Sequence, residues 1–415
     1  MSLKRVVITG MGVVSPLGYG TEELLTGLAD GVCSTQFMPE WAEYDSLHSK
    51  VAAPLEMRNE RDIPRQFRRT MSPMSIYAAQ ATKQALESAG IDPETVKGDP
   101  QFGCIMGHTT GSPKTLTATY ELMAESHDFG LLSSSNFFHC LSHTVALNVA
   151  QYLSISGVVL ATSAACASGL QAVGTGFDLI RLGRQDMMLC GGGEELHPTV
   201  TGSFDILFAT SEKYNDNPSA TPRPFDRDRD GLVCGEGAGV VLLEEYEHAV
   251  KRGAPIYGEV LGYHTCGNGV HVSQSNRESM ELCMGWALDQ AGLDANQIDY
   301  INAHATATEQ GDVAEAQALG GIFGDSVPVS SLKGYLGHTL GASGAIELIG
   351  SPCCAPNGPA RTRGGSSLAL SAHSPSAMSD RGFMMGASLA ISNWEWKSRD
   401  WLISWRTTSA SMSSR

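Results

Sequence analysis

The sequence predicts an α/β fold, and three observations carry that prediction. Short apolar runs of strand character alternate with stretches of helical spacing. Clusters of glycine follow the strand runs. One segment also recurs: Ala85-Leu-Glu-Ser-Ala-Gly-Ile-Asp92 is echoed by Ala287-Leu-Asp-Gln-Ala-Gly-Leu-Asp294. Each copy ends a helical stretch and precedes a strand run and a His/Thr-containing turn, as a duplicated α/β half would.

The elements follow in order. Val6-Val-Ile-Thr9 is a short buried strand, closed by Gly10-Met-Gly12. Residues 22–31 have helical spacing, and so do residues 75–89, which stop at Gly90. Phe102-Gly-Cys-Ile-Met106 is a strand leading into Gly107-His-Thr-Thr-Gly111. Val158-Val-Leu-Ala-Thr162 reads as a buried strand, and residues 167–180 as the helix after it. Asp186-Met-Met-Leu-Cys190 ends in Gly191-Gly-Gly193, and Val240-Val-Leu-Leu243 follows a Gly-rich turn. Tyr300-Ile301 is a strand with His304 just beyond its carboxyl end.

Composition narrows the function classes. The 415 residues, 42% hydrophobic and 17% charged, suit two domains or one large fused core. A net charge of −16 argues against nucleic acid and anionic membranes as partners. No run approaches the 18 or so apolar residues of a membrane span, and no signal peptide is visible, so a cytoplasmic location is expected. The ten cysteines include no C-x-x-C pair, which disfavours zinc and dithiol motifs; no metal is expected. Most of these cysteines read as small core side chains.

Chemistry concentrates at three places. Cys166, in Thr162-Ser-Ala-Ala-Cys-Ala-Ser-Gly169, sits at a strand-to-helix turn, where a helix N-terminus would favour a thiolate. Asn302-Ala-His-Ala-Thr-Ala-Thr308 places His304 where α/β proteins bind ligands. Ser331-Leu-Lys-Gly-Tyr-Leu-Gly-His-Thr-Leu-Gly-Ala-Ser-Gly-Ala-Ile346 carries Lys333 and His338. One histidine in such a place is ordinarily structural; two beside a turn cysteine point to a Cys-centred site. Cys234-Gly-Glu-Gly-Ala-Gly239 leads into a strand, so it is no phosphate cradle, and neither G-x-S-x-G nor H-E-x-x-H occurs. Arg61, Arg65, Arg68 and Arg69 form a local basic group, which from composition alone reads as a solvated helix start.

Together these motifs resemble the β-ketoacyl-[acyl-carrier-protein] synthases, in particular the elongating condensing enzymes with a Cys-His-His site. The resemblance runs through Val6-Val-Ile-Thr-Gly-Met-Gly12, Ala164-Ala-Cys-Ala-Ser-Gly169, Arg223-Pro-Phe-Asp-Arg-Asp-Arg-Asp-Gly231, Gly235-Glu-Gly-Ala-Gly239, Leu243-Glu-Glu-Tyr-Glu-His-Ala249, the two His motifs and Gly311-Asp312. It covers roughly residues 3–349 and implies a thiolase-like fold, with duplicated halves in α-β-α-β-α layers, divided as 1–250 and 251–349. It implies that Cys166 takes an acyl group from a carrier thioester and that malonyl-carrier then decarboxylates and attacks it, in fatty acid or polyketide elongation. His304 and His338 would be neutral donors to the enolate. Lys333, paired with Glu315, would order the site, with Asp312 in support. Thr306 and Thr308 match positions that bind the phosphopantetheine arm of the carrier, no other cofactor being implied. Phe137, Phe138 and Leu232 match the acyl pocket, where Leu232 replaces a frequent aromatic gate. Arg65, Arg68 and Arg69 match a region that meets the acidic acyl carrier protein. A homodimer is implied, a heterodimer being the alternative. The competing reading is a non-catalytic, chain-length-factor-like partner, which the retained Cys166 and both histidines oppose.

The pattern breaks after Ile349. Residues 350–415 are rich in breakers and lack period, and only Asp380-Arg-Gly-Phe383 and Ser388-Leu-Ala-Ile-Ser392 echo the family's closing Gly-Phe-Gly-Gly loop and last strand. The second half is therefore expected to be incomplete, with a sheet edge uncovered and one oxyanion donor lost, worth about 10²–10³ in rate. A shifted or rearranged reading frame would account for such a tail.

Overall fold

The computed structural model describes residues 2–270, 275–354, 382–385 and 389–392. Strands β1 (Val6–Ser15), β2 (Phe102–Gly107), β3 (Val159–Thr162), β4 (Met187–Glu194) and β5 (Gly237–Glu245) belong to the first half. Strands β6 (Gly258–Tyr263), β7 (Ile298–Asn302), β8 (Val329–Ser330), β9 (Gly382–Met385) and β10 (Leu389–Ser392) belong to the second. They hydrogen-bond in the order β8-β7-β9-β10-β6-β1-β5-β4-β2-β3.

The two halves repeat one another strand for strand. In the first, β2 runs parallel to β3 and β4, β4 is antiparallel to β5, and β5 to β1. In the second, β7 runs parallel to β8 and β9, β9 is antiparallel to β10, and β10 to β6. The halves meet where β1 and β6 pair antiparallel, with Val7 opposite Glu259. The recurring segment is thus the trace of a duplicated fold.

Helices α1 (Thr21–Ala29), α2 (Pro73–Ser88), α3 (Pro113–Ser126), α4 (Ser134–Cys140), α5 (Thr144–Leu153), α6 (Ser168–Arg181), α7 (Arg277–Ala291), α8 (Glu309–Phe323) and α9 (Ser343–Cys354) complete the layers. α5 packs on α2, and α8 on α7. α6 and α9 touch each other and strands of both halves, so they form the central helical layer of an α-β-α-β-α body. Side chains alternate between cores as a strand's period of two requires. Met188 and Cys190 of β4 and Val241 and Leu243 of β5 face the central core, while Met187, Leu189, Val240 and Leu242 face α2 and α5. Strands buried on both faces read as unbroken apolar runs.

Three expectations change. The glycines after β1 and β4 do not end those strands. A Cβ on Gly10 or Gly12 would lie 2.1 Å from Ala85 O or 1.9 Å from Ala81 O, so these glycines admit the backbone of α2. Gly191 likewise admits Gly239 O, at 2.0 Å. The run 159–162 is not buried: among the described residues β3 pairs only with β2, and Val159 and Leu160 are 39% and 44% exposed. The second half is also not left short. β9 and β10 occupy the positions that β4 and β5 hold in the first half, and they cover β7 and β6. Residues 386–388, between them in the chain, lie outside the described residues, as do 355–381 and 393–415. Among the described residues, no helix is long and apolar enough to cross a membrane.

Candidate active site

Cys166 stands between β3 and α6, two residues before the helix begins. Ala165 adopts φ 49, a strained value for a residue with a Cβ. Ser168 braces the turn: its Oγ donates to Ala165 O at 2.6 Å and accepts from Ala164 N at 2.8 Å, while Thr162 Oγ1 donates to Ser168 O.

His338 comes from the segment before α9. Its N–H donates to Val233 O at 2.7 Å and its carbonyl accepts from Gly235 N, which fixes the residue alongside Cys234. Leu340, with φ 47, turns the chain so that Gly341 N donates to Glu194 Oε2 at 3.0 Å. The same carboxylate accepts from Thr109 N and Thr109 Oγ1, tying the His338 segment to the end of β2. The approach of this segment to Cys166 needs glycine: a Cβ on Gly169 would lie 2.5 Å from Gly341 O.

His304 follows β7. Glu315, on α8, accepts from His304 N at 2.8 Å and Ala305 N at 2.7 Å. Asp312, one turn earlier, accepts from Ala307 N and Phe225 N and lies 3.7 Å from Arg229 Nε. Both carboxylates therefore shape the loop that carries the imidazole.

These elements bring the sulfur and two rings together. Cys166 Sγ lies 2.9 Å from His338 Nε2. The His304 and His338 rings are 5.3 Å apart and nearly perpendicular. One ligand atom from each of the three residues lies within 4.8 Å of the others. Sulfur with two imidazoles is a donor set that a soft divalent ion could use, but the thiol–imidazole hydrogen bond already accounts for the approach. His338 Nδ1 lies 2.9 Å from Ser343 Oγ.

Opposing effects act on the Cys166 thiol. Burial pushes the Cys166 thiol up to about 11, against the downward pull of the Lys333 charge. The 2.9 Å contact suits a neutral thiol donating to a neutral imidazole, the donor being set by the tautomer of His338. Burial, then Lys333 and His304, hold His338 well below the usual imidazole value. Burial, then Lys333, lower His304, although the residue as a whole is exposed.

Lys333 is fully buried, and its ion pair is with Glu347 of α9, not with Glu315. Glu315 is occupied by two backbone donors, and burial lifts it to about 7 against those bonds. Glu347 was legible as a lone carboxylate in the apolar run 345–349, which must find a partner when buried. Glu194 and Ser343 carried no comparable signal.

The other predicted residues are dispersed. The Thr306 and Thr308 hydroxyls are 3.1 Å apart, on the loop that follows His304. Phe137 and Phe138 stack edge to face at 5.6 Å and are 66% and 38% exposed. Leu232 is buried, its N–H donating to Ala209 O. Arg65 and Arg69 are exposed, while Arg68 is half-buried and donates to Glu60 O.

Known proteins share this architecture. The family model described as "Beta-ketoacyl synthase, N-terminal domain" matches residues 3–249, and "Beta-ketoacyl synthase, C-terminal domain" matches residues 257–356. A 3-oxoacyl-[acyl-carrier-protein] synthase 1 of Haemophilus influenzae is 36% identical over 348 residues, 84% of this chain and 84% of that protein. The crystal structure of a β-ketoacyl synthase from Burkholderia phymatum superposes with a TM-score of 0.81 at 44% identity, covering 84% of this chain and 85% of that one. The ishigamide ketosynthase/chain length factor gives the same TM-score at 27% identity, covering 95% of this chain and 100% of that one.

Proposed function

This chain belongs to the β-ketoacyl synthase family, and on that footing we propose how its own residues divide the work of a decarboxylative condensation. It is an acyl-transferring condensing enzyme, a β-ketoacyl-[acyl-carrier-protein] synthase of fatty acid or polyketide elongation. The observation that carries the assignment of roles is the 2.9 Å approach of Cys166 Sγ to His338 Nε2, with the His304 ring beside them.

Cys166 is the nucleophile. As its sulfur bonds to the acyl carbonyl carbon, the thiol proton passes to His338 Nε2. The carrier's sulfur leaves with a proton when the tetrahedral adduct collapses. Proton transfer along a formed hydrogen bond removes the need for a free thiolate at neutral pH. Malonyl-carrier then loses carbon dioxide. The resulting enolate oxygen receives hydrogen bonds from His304 and His338, both held neutral, and its carbon attacks the acyl-cysteine carbonyl. Collapse of that adduct breaks the carbon–sulfur bond, frees the β-ketoacyl carrier and returns the Cys166 sulfur, which regains a proton. Lys333, held by Glu347, supplies a fixed positive charge behind the three groups. Glu315 and Asp312 position the His304 loop. Thr306 and Thr308 guide the phosphopantetheine arm of the carrier, and no other cofactor is invoked.

The partner is an acyl carrier protein. Arg65, Arg68 and Arg69 give it a local positive face on a chain whose net charge is −16, which favours steering at one spot. The second subunit is another copy of this chain. β3 leaves one edge unpaired among the described residues, and like edges can join about a twofold axis. Such pairing would cover Val159 and Leu160, and would complete an acyl pocket from Phe137, Phe138 and Leu232. A cytoplasmic location belongs to the same proposal. The chain divides near residue 250 into its two halves, with β9 and β10 joining the second. A shifted or rearranged reading frame within residues 350–415 belongs to the same proposal, and resequencing tests it.

Two additions to the purified protein test the function. Acyl carrier protein should place an acyl mass on Cys166, and malonyl-carrier should then release a β-ketoacyl carrier. Stable complex formation with another ketosynthase, without any acylation, would favour the chain-length-factor reading instead.

A further inference from the structure

His338 has opposite tasks in the two steps. While Cys166 carries its thiol, Nε2 must accept from the sulfur, so a neutral ring holds its proton on Nδ1. While the enolate forms, Nε2 must donate, so Nδ1 is bare. The group against Nδ1 has to accept in the first state and donate in the second. A backbone N–H, a carbonyl or a carboxylate matches only one of these; a hydroxyl matches both.

Ser343 Oγ is that group, 2.9 Å from Nδ1. Ser343 and Thr339 are each 2% exposed, so bulk water does not substitute for the hydroxyl. Thr339 Oγ1 lies 3.1 Å from Ser343 Oγ. Ser343 therefore keeps a partner whichever way its O–H points, since the second hydroxyl can reverse with it. The placement follows from the backbone: Leu340 turns the chain, and Ser343 opens α9 five residues after the imidazole.

We propose that Ser343 is a positioning residue that pairs with His338 in both tautomers, and so lets one imidazole serve acylation and condensation in turn. The inference rests on the roles proposed above for Cys166 and His338. Across acylation Nε2 keeps the proton taken from the Cys166 thiol, and the Nδ1 proton is released to solvent, which supplies the proton of the departing carrier thiol. After condensation the freed Cys166 sulfur takes the Nε2 proton back and Nδ1 regains one from solvent, so the ring is neutral before and after each step.

Nitrogen-15 spectra of His338, assigned against His338→Gln, test this directly. The free enzyme should show Nδ1–H, and enzyme S-alkylated at Cys166 with iodoacetamide should show Nε2–H. Ser343→Ala should lower kcat for ketoacyl formation about tenfold, with KM for the carrier unchanged, and Ser343→Thr should restore it. The same tautomer in both enzyme forms, or a wild-type rate for Ser343→Ala, overturns the proposal. If Ser343→Ala does not fold, the wild-type spectra and Ser343→Thr still decide it. A wild-type enzyme that never acylates Cys166 refutes the functional reading itself; one that condenses with a fixed tautomer refutes only the role of Ser343.

Discussion

The buried Lys333 ammonium pairs with Glu347, fourteen residues along the chain, and this pair sets the charge behind the reacting groups. Breaking a buried pair from one side leaves the other charge uncompensated. Glu347→Leu and Lys333→Met should each destabilise the fold by about 3–5 kcal/mol. The double variant Lys333→Met/Glu347→Leu should recover much of that loss in denaturant unfolding, yet remain inactive. Additive losses would mean that the two residues do not form a coupled pair.

The reactivity of Cys166 should follow its raised thiol pKa. A group that must lose a proton to react becomes more reactive as pH rises towards that value, here about 11. Iodoacetamide alkylation should therefore climb roughly tenfold per pH unit from 7 to 9, without a plateau near neutrality. Lys333→Met removes the charge that pulls the thiol down, so it should slow alkylation at every pH in that range. A plateau below pH 8 would show a thiolate at rest.

Glycine at 169 keeps the cysteine turn against the His338 segment. A methyl group there meets backbone, not a movable side chain, so Gly169→Ala should cost about 1–3 kcal/mol and lower Cys166 acylation. Gly285 lies within α7 with nothing within 4 Å of its would-be Cβ. Gly285→Ala should raise stability by about 0.5–1 kcal/mol and leave acylation alone. Thermal unfolding of both variants beside wild type separates packing from propensity.

The β9–β10 hairpin should be indispensable. Ending the chain after residue 354 would expose the edges of β7 and β6. That truncation should aggregate or elute as a broad, large species in size-exclusion chromatography. Behaviour equal to that of the full chain would remove β9 and β10 from the sheet.

Much of this site is legible before the fold is known. Cys166 and His304 each follow a strand pattern and stand among small residues, so their places at strand ends can be read directly. His338 is marked by the glycines and alanines that let its segment approach. The Lys333–Glu347 pair is harder, because it depends on where α9 begins and which side it turns inward. Gly10, Gly12 and Gly191 mislead because glycine signals both a turn and a close backbone approach. β9 and β10 are only four residues each. Runs that short show too little alternation to stand out from a breaker-rich tail.

Peptide-level mass spectrometry after incubation with an acyl carrier thioester tests the assignment of Cys166 and His338 most directly. The acyl mass should fall on the peptide containing Cys166, be absent from Cys166→Ala, and appear about 10²–10⁴-fold more slowly in His338→Ala. Label on any other residue, or undiminished labelling of either variant, would contradict it.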